Sequence, residues 1–180
     1  MRVTEGTIPI LLVAAHNTAH IRNGVRKPCD INTGKVVGLI AQKTRAFSII
    51  STSVQIDPNW HIDSPFRQTL KELIKTHNIQ AVIDIHGRKE GAKHLIEYCP
   101  NDAFTQKYPN LMYPQLDGTR AMRKFIDDEQ LTISEDVDVQ NIPSLQIEIR
   151  KDGRDFRKNT PLQIVDAVSE LILKLASLGI

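Results

Sequence analysis

The sequence predicts an α/β sandwich. Three observations carry that prediction: β-branched apolar runs of strand length at 8–15, 47–52 and 79–86, stretches with apolar residues at helical spacing between and after them, and the alternation of the two kinds along the chain. With 180 residues, of which 41% are hydrophobic, the chain has enough apolar surface for a sizeable core, and a single domain over 1–180 is expected.

The elements follow in order. "IPILLVAA" reads as the first strand, "TGKVVGLIAQKTRA" as a helix, and "FSIIST" as the next strand. "SPFRQTLKELIKTHN" has Ser64 as an N-cap, Pro65 at the first helical position, and Phe66, Leu70, Leu73 and Ile74 on one face. "IQAVIDIH" then returns as a strand, "KHLIEYC" as a short strand, and "GTRAMRKFIDDEQ" (118–130) as a helix. "SLQIEIR" alternates as a strand, and "TPLQIVDAVSELILKLASL" closes the chain as a long amphipathic helix. The segment from about 99 to 117, rich in Pro, Asn and Asp, is longer than an ordinary connection and is expected to be a lid or substrate loop.

Composition excludes several classes of function. The 23 basic and 21 acidic residues leave a formal charge of +2, and no basic block interleaves with aromatics, so nucleic acid is not the expected partner. The apolar run near the start is too short to span a bilayer and lacks a signal cleavage pattern, so no membrane partner and a cytoplasmic location are expected. Cys29 and Cys99 stand far apart outside any C-x-x-C pair, which leaves histidines and carboxylates as candidate metal ligands.

In open α/β sheets, ligands bind beyond the carboxyl ends of the strands. The first strand ends in His16, the next apolar run leads to Asp57-Pro58-Asn59, and the third ends in His86. In "LQIEIR", Leu145, Ile147 and Ile149 share one face, while Gln146, Glu148 and Arg150 share the other. Two imidazoles and several carboxylates at one place suit Zn²⁺ or another divalent ion, which in catalytic sites takes three protein ligands. The third ligand is Asp30 or His20. Asp30 is preferred, because Asn17, Thr18 and Gly24 make a helix that would pair His16 with His20 uncertain; Asp30 could equally cap the following helix. Asp84, on the strand face of His86, is placed to orient that imidazole, and Asp57 is a second supporting carboxylate. Asn59 either closes a turn or contacts substrate. Arg88 and Arg150 lie near the proposed chemistry and are candidate anchors for a substrate carboxylate, Arg150 being preferred because strand alternation fixes its side. Taken singly, Arg154 and Arg157 read as surface charges, and His61, His77 and His94 as structural or exposed.

Five motifs in order, "ILLVAAHNTAHIRNG", "PCDINTGK", "QIDPNW", "IDIHG" and "LQIEIR", resemble the N-formylglutamate amidohydrolase family, which is distantly similar to zinc carboxypeptidases and aspartoacylase. The resemblance runs from about residue 8 to 157. It implies a three-layer α/β/α sandwich with a central mixed sheet of the phosphorylase/hydrolase-like kind, a zinc site, and hydrolysis of the amide of an N-acyl amino acid. By that match, His16, Asp30 and His86 stand at the zinc-site positions, and Glu148 resembles the catalytic glutamate. The expectation is a metal-dependent amidohydrolase with a small carboxylated substrate. A carboxypeptidase, a cell-wall peptide amidase and a non-catalytic carboxylate-binding module are the alternatives. Two motifs depart from the family: its "PHSG" is here "AAHN", and Trp60 replaces an arginine that would bind a substrate carboxylate.

Overall fold

A computed structural model describes residues 1–109, 111, 118–120 and 132–179. In chain order the strands are β1 (Arg2–Thr4), β2 (Ile8–Ala14), β3 (His20–Arg22), β4 (Val25–Lys27), β5 (Ala46–Ile50), β6 (Gln55–Ile56), β7 (Ala81–Arg88), β8 (Ile96–Pro100), β9 (Gly118–Arg120) and β10 (Ser144–Arg150). The helices are α1 (Thr33–Thr44), α2 (Pro65–Thr76), α3 (Asp102–Lys107), α4 (Ile133–Asp138) and α5 (Thr160–Ser177).

Seven strands form one mixed sheet in the order β1-β5-β2-β7-β10-β8-β9. Its centre, β5-β2-β7-β10, is parallel, while β1 and β8 join antiparallel. Parallel strands are buried on both faces and read as continuous apolar runs, and β2 follows that rule by sending alternate residues into two cores. Ile10, Leu12 and Ala14 pack with Ile83, Ile85, Leu145, Ile147 and Ile149 under α1 and α5. Leu11 and Val13 pack with Ile49 and Val82 under Phe66, Leu70, Leu73 and Ile74 of α2 and Ile133 and Val137 of α4. Helices therefore cover both faces, and the three-layer α/β/α sandwich with a central mixed sheet is the observed architecture.

The second face is not apolar along its whole length. On β7 it reads Val82, Asp84, His86, and on β10 Ser144, Gln146, Glu148, with Gln146 beside Asp84 and Glu148 beside His86 in register. It turns polar toward the carboxyl ends of two parallel strands, which is where a ligand is expected.

Several expectations need correction. Residues 118–120 of the expected helix are a strand, since the backbone at 118–120 pairs in parallel with β8; the rest of that segment lies outside the described residues. The expected loop from 99 to 117 contains α3, capped by Asn101, whose side chain accepts from Phe104 N at 2.8 Å; residues 110 and 112–117 lie outside the described set. The "QIDPNW" motif does not end a strand of the central sheet. Its Gln55 and Ile56 form β6, part of a separate small sheet ordered β4-β3-β6. That small sheet also replaces the possible helix after His16: Asn23 and Gly24, with φ of 50° and 73°, turn β3 back into β4, the left-handed pair that a two-residue hairpin requires.

Candidate metal centre

His16 follows β2 and His86 lies on the neighbouring β7, both buried. Asp30 arrives from the connection between β4 and α1. Its Oδ2 stands 3.8 Å from His16 Nδ1 and 3.6 Å from His86 Nδ1. Those spacings are long for hydrogen bonds but close to the roughly 3–3.5 Å that two ligand atoms keep around one small ion with bonds near 2 Å. The other nitrogen of each ring is taken. His16 Nε2 meets Asp57 Oδ1 at 2.8 Å, and His86 Nε2 meets Asp84 Oδ2 at 2.9 Å. Two imidazoles are thus each fixed from behind by a buried carboxylate while their Nδ1 atoms face a third.

Asp30 is not the helix cap. The N-cap of α1 is Asn32, with φ of 68°, and Asp30 serves the helix through its backbone oxygen, which accepts from Thr33 N and Thr33 Oγ1. Its carboxylate is left for the histidines.

The loop is held from below by Arg154. Read as a surface charge from sequence, Arg154 is instead buried at 4% exposure; its guanidinium donates to Ile149 O and Arg88 O and to Ile31 O, next to Asp30. It fits only because residue 87 is glycine: a Cβ there would lie 2.4 Å from Arg154 Nη2. On the other flank, Asn17 fixes the turn after His16, donating to Ser51 O at 2.9 Å and accepting from Gly34 N at 2.9 Å.

A second cluster, His16, His20 and Asp57, also has ligand atoms within reach of one ion. It is the poorer fit. His16 Nε2 and Asp57 are already bonded to each other, and Arg22 Nε donates to Asp57 Oδ2 at 2.7 Å, placing a cation where a metal would sit. His20 stacks on His16 with ring centroids 3.9 Å apart.

The charges respond to this packing. Burial would lower His86, but Asp84, helped by Asp30 and Glu148, outweighs it and holds the imidazole well above its ordinary range. Burial would raise Asp57, yet His16 and Arg22 hold it well below the usual carboxylate range. Asp30 is likewise lowered, with His86 and His16 overcoming its burial. His20 is pushed down to about 4 by burial and the charge of His16. Glu148 moves the other way: burial and Asp30 raise it, against the opposing pull of His86 and Gln146.

A cavity of about 310 Å³ opens over these groups, and His16, His20, Asp30, His86 and Glu148 line it. Gln146 Nε2 donates to Glu148 Oε1 at 3.1 Å and fixes that carboxylate. Asn59 also lines the cavity, its Oδ1 buried without a partner among the described residues. Thr132, at the start of α4, and Arg22, from β3, are lining groups that the sequence reading missed. Arg150 and Arg88 are not brought to it. Arg150 binds the Asp152 carboxylate through Nε and Nη2 at 2.6 and 2.9 Å and Ala92 O through Nη1, and Arg88 pairs with Glu97. His77 caps α2 against the ring of Phe47.

No protein-family model matches the chain, and no curated protein matches it. Among solved structures, it is similar to the gene product Atu2144 from Agrobacterium tumefaciens, with 14% identity, a TM-score of 0.66, and coverage of 98% of this chain and 93% of that one. It is also similar to a bacteriophage poly-gamma-glutamate hydrolase, with 12% identity, a TM-score of 0.54, and coverage of 98% and 86%. At such identities the shared property is the fold. No helix among the described residues is long and apolar enough to cross a membrane.

Proposed function

We propose that the chain is a metal-dependent hydrolase of an amide bond in a small carboxylated substrate such as an N-acyl amino acid. The observation that carries this reading is the pair of buried carboxylates, Asp57 and Asp84, behind two imidazoles whose Nδ1 atoms converge on Asp30. His16, Asp30 and His86 would hold the ion, Zn²⁺ by donor type. When bound, such an ion supplies Lewis-acid polarisation of a carbonyl and acidifies water.

The chain's own groups would do the rest. Glu148, whose pKa is raised chiefly by burial, holds a proton more readily than an exposed carboxylate does, and would take a proton from the attacking water and return it to the leaving nitrogen. Gln146 keeps Glu148 turned to the cavity, whose lining also includes Asn59. The fold likeness to a hydrolase of poly-gamma-glutamate, itself a chain of amides between carboxylated units, supports the reaction class.

The test is metal content together with turnover. Protein purified without added metal should carry about one equivalent of divalent ion, and His16→Ala, His86→Ala and Asp30→Ala should each lose most of it. Glu148→Gln should retain the ion while hydrolysis of N-formyl- or N-acetyl-L-glutamate, followed by amine release, falls roughly 10²-fold or more. Full occupancy in the histidine variants would remove the metal reading, and unchanged turnover in Glu148→Gln would remove the base.

A further inference from the structure

The cavity contains a cation that metal binding does not use. Arg22 lines it. Its Nε donates to Asp57 Oδ2 at 2.7 Å, and its Cζ lies 5.0 Å from the ring centroid of Trp60. A carboxylate on one edge and an aromatic ring against it fix both the position and the plane of the guanidinium. The side chain is only 23% exposed, yet among the described residues its two terminal amino groups make no hydrogen bond. A guanidinium held this way presents a rigid two-donor end, whose spacing matches the two oxygens of a carboxylate better than a lysine's point charge does.

We propose that Arg22, pinned by Asp57 and laid over Trp60, binds a carboxylate of the substrate. The inference deepens the hydrolase reading of the same cavity and rests on it for the presence of a substrate. Asp57 links the two functions physically, since one of its oxygens holds His16 and the other holds Arg22. Trp60 then acquires a role. It stands where the resembling family carries an arginine, and in this chain it supports an arginine delivered from the β3–β4 hairpin. Lys27, on the partner strand of that hairpin, lines the cavity as well and adds positive potential without a planar fork.

The test uses metal-loaded protein and two probes, N-acetyl-L-glutamate and its α-carboxamide, with affinities measured by calorimetry in a Glu148→Gln background, where turnover of the acid does not interfere. With Arg22 in place, this protein should bind the acid more tightly by about 10- to 100-fold, the scale of hydrogen bonds to a charged group. Arg22→Met should reduce that ratio to within about twofold by weakening the acid alone, with metal content retained. Trp60→Leu leaves the partners of Asp57 in place and should lose part of the ratio. No preference for the acid with Arg22 in place, or an Arg22→Met protein that keeps it, overturns the proposal. Should Arg22→Met release the metal by freeing Asp57, Trp60→Leu decides, and an unchanged ratio there overturns it. The two readings fail separately: acid preference without hydrolysis of any N-acyl amide keeps the anchor and discards the enzyme, and hydrolysis without acid preference does the reverse.

Discussion

Gly87 carries a constraint that no polar residue in the site reveals. It sits between His86 and Arg88 on β7, and the buried guanidinium of Arg154 passes where its side chain would be, tied at the same time to Ile149 O, Arg88 O and Ile31 O. A methyl group at 87 cannot be accommodated by a small rotamer change, because every exit of Arg154 breaks a buried hydrogen bond. Gly87→Ala is therefore expected to lower the melting temperature by roughly 3–10 °C, the scale of an overpacked core in a chain of this length. It should also weaken metal binding, since Ile31 carries Asp30 with it. In the double variant Gly87→Ala, Arg154→Met, the loss should be clearly smaller than the sum of the two single losses. Strict additivity in thermal unfolding would mean that the two side chains do not compete for that space.

At the scale of elements, what the sequence discloses depends on how local the cause is. The strands at 8–14 and 81–88 and the helices at 65–76 and 160–177 are set by their own periodicity and caps, with Ser64 and Pro65 starting α2 as their chemistry dictates. His16 and His86 were legible for the same reason, as polar residues terminating apolar runs. The small sheet was not, because three strands of three, three and two residues are too short for any period to register. Its one strong local signal was Asn23-Gly24, which fixes where β3 turns and so where His20 and Arg22 point. Likewise Thr132 and Glu135 form a full capping box that announces α4, and through it Thr132 at the cavity. Arg150 misled because alternation fixes the side of a strand a residue occupies but not the partner its long side chain finds, here Asp152 two residues on. The hairpin yields a prediction at its own scale. Among the described residues, its chain neighbours aside, no atom lies within 4 Å of a Cβ at Gly24, so Gly24→Ala should cost only the backbone term, about 1 kcal/mol. Because β3 carries Arg22 while the metal ligands sit elsewhere, the variant should weaken binding of N-acetyl-L-glutamate several-fold more than it weakens the metal, and equal losses would uncouple the hairpin from carboxylate recognition.

At the scale of the whole molecule, the candidate centre joins segments far apart in sequence: β2, the β4–α1 connection, the turn after β6 and β7 are brought together by the tertiary fold. A ligand that binds only the folded state stabilises it by mass action, about 2.7 kcal/mol at a hundred times its dissociation constant, so metal should raise the melting temperature by roughly 5–10 °C in a chain of this size. The pH dependence of that rise follows from His86. In the metal-free protein its pKa is held well above the ordinary value, chiefly by Asp84 against burial. A raised folded pKa stabilises fully below the unfolded value and is lost as pH climbs through the folded one, so metal-free stability should fall on the alkaline side of neutrality. Asp30 and Asp57 are shifted down instead, so their contributions are present above the unfolded carboxylate range and are lost only in acid, which leaves them constant across the same window. Metal requires the neutral imidazole and displaces the His86 proton, so its affinity should climb with pH over that window. The two trends oppose, and the difference in melting temperature between metal-loaded and chelator-treated protein should widen as pH rises above the ordinary histidine range. In Asp84→Asn the imidazole loses the carboxylate that raises it, and the widening should flatten while the fold persists. A gap that is constant with pH in the wild type would mean that no proton leaves His86 when metal binds, and would remove that residue from the ligand set.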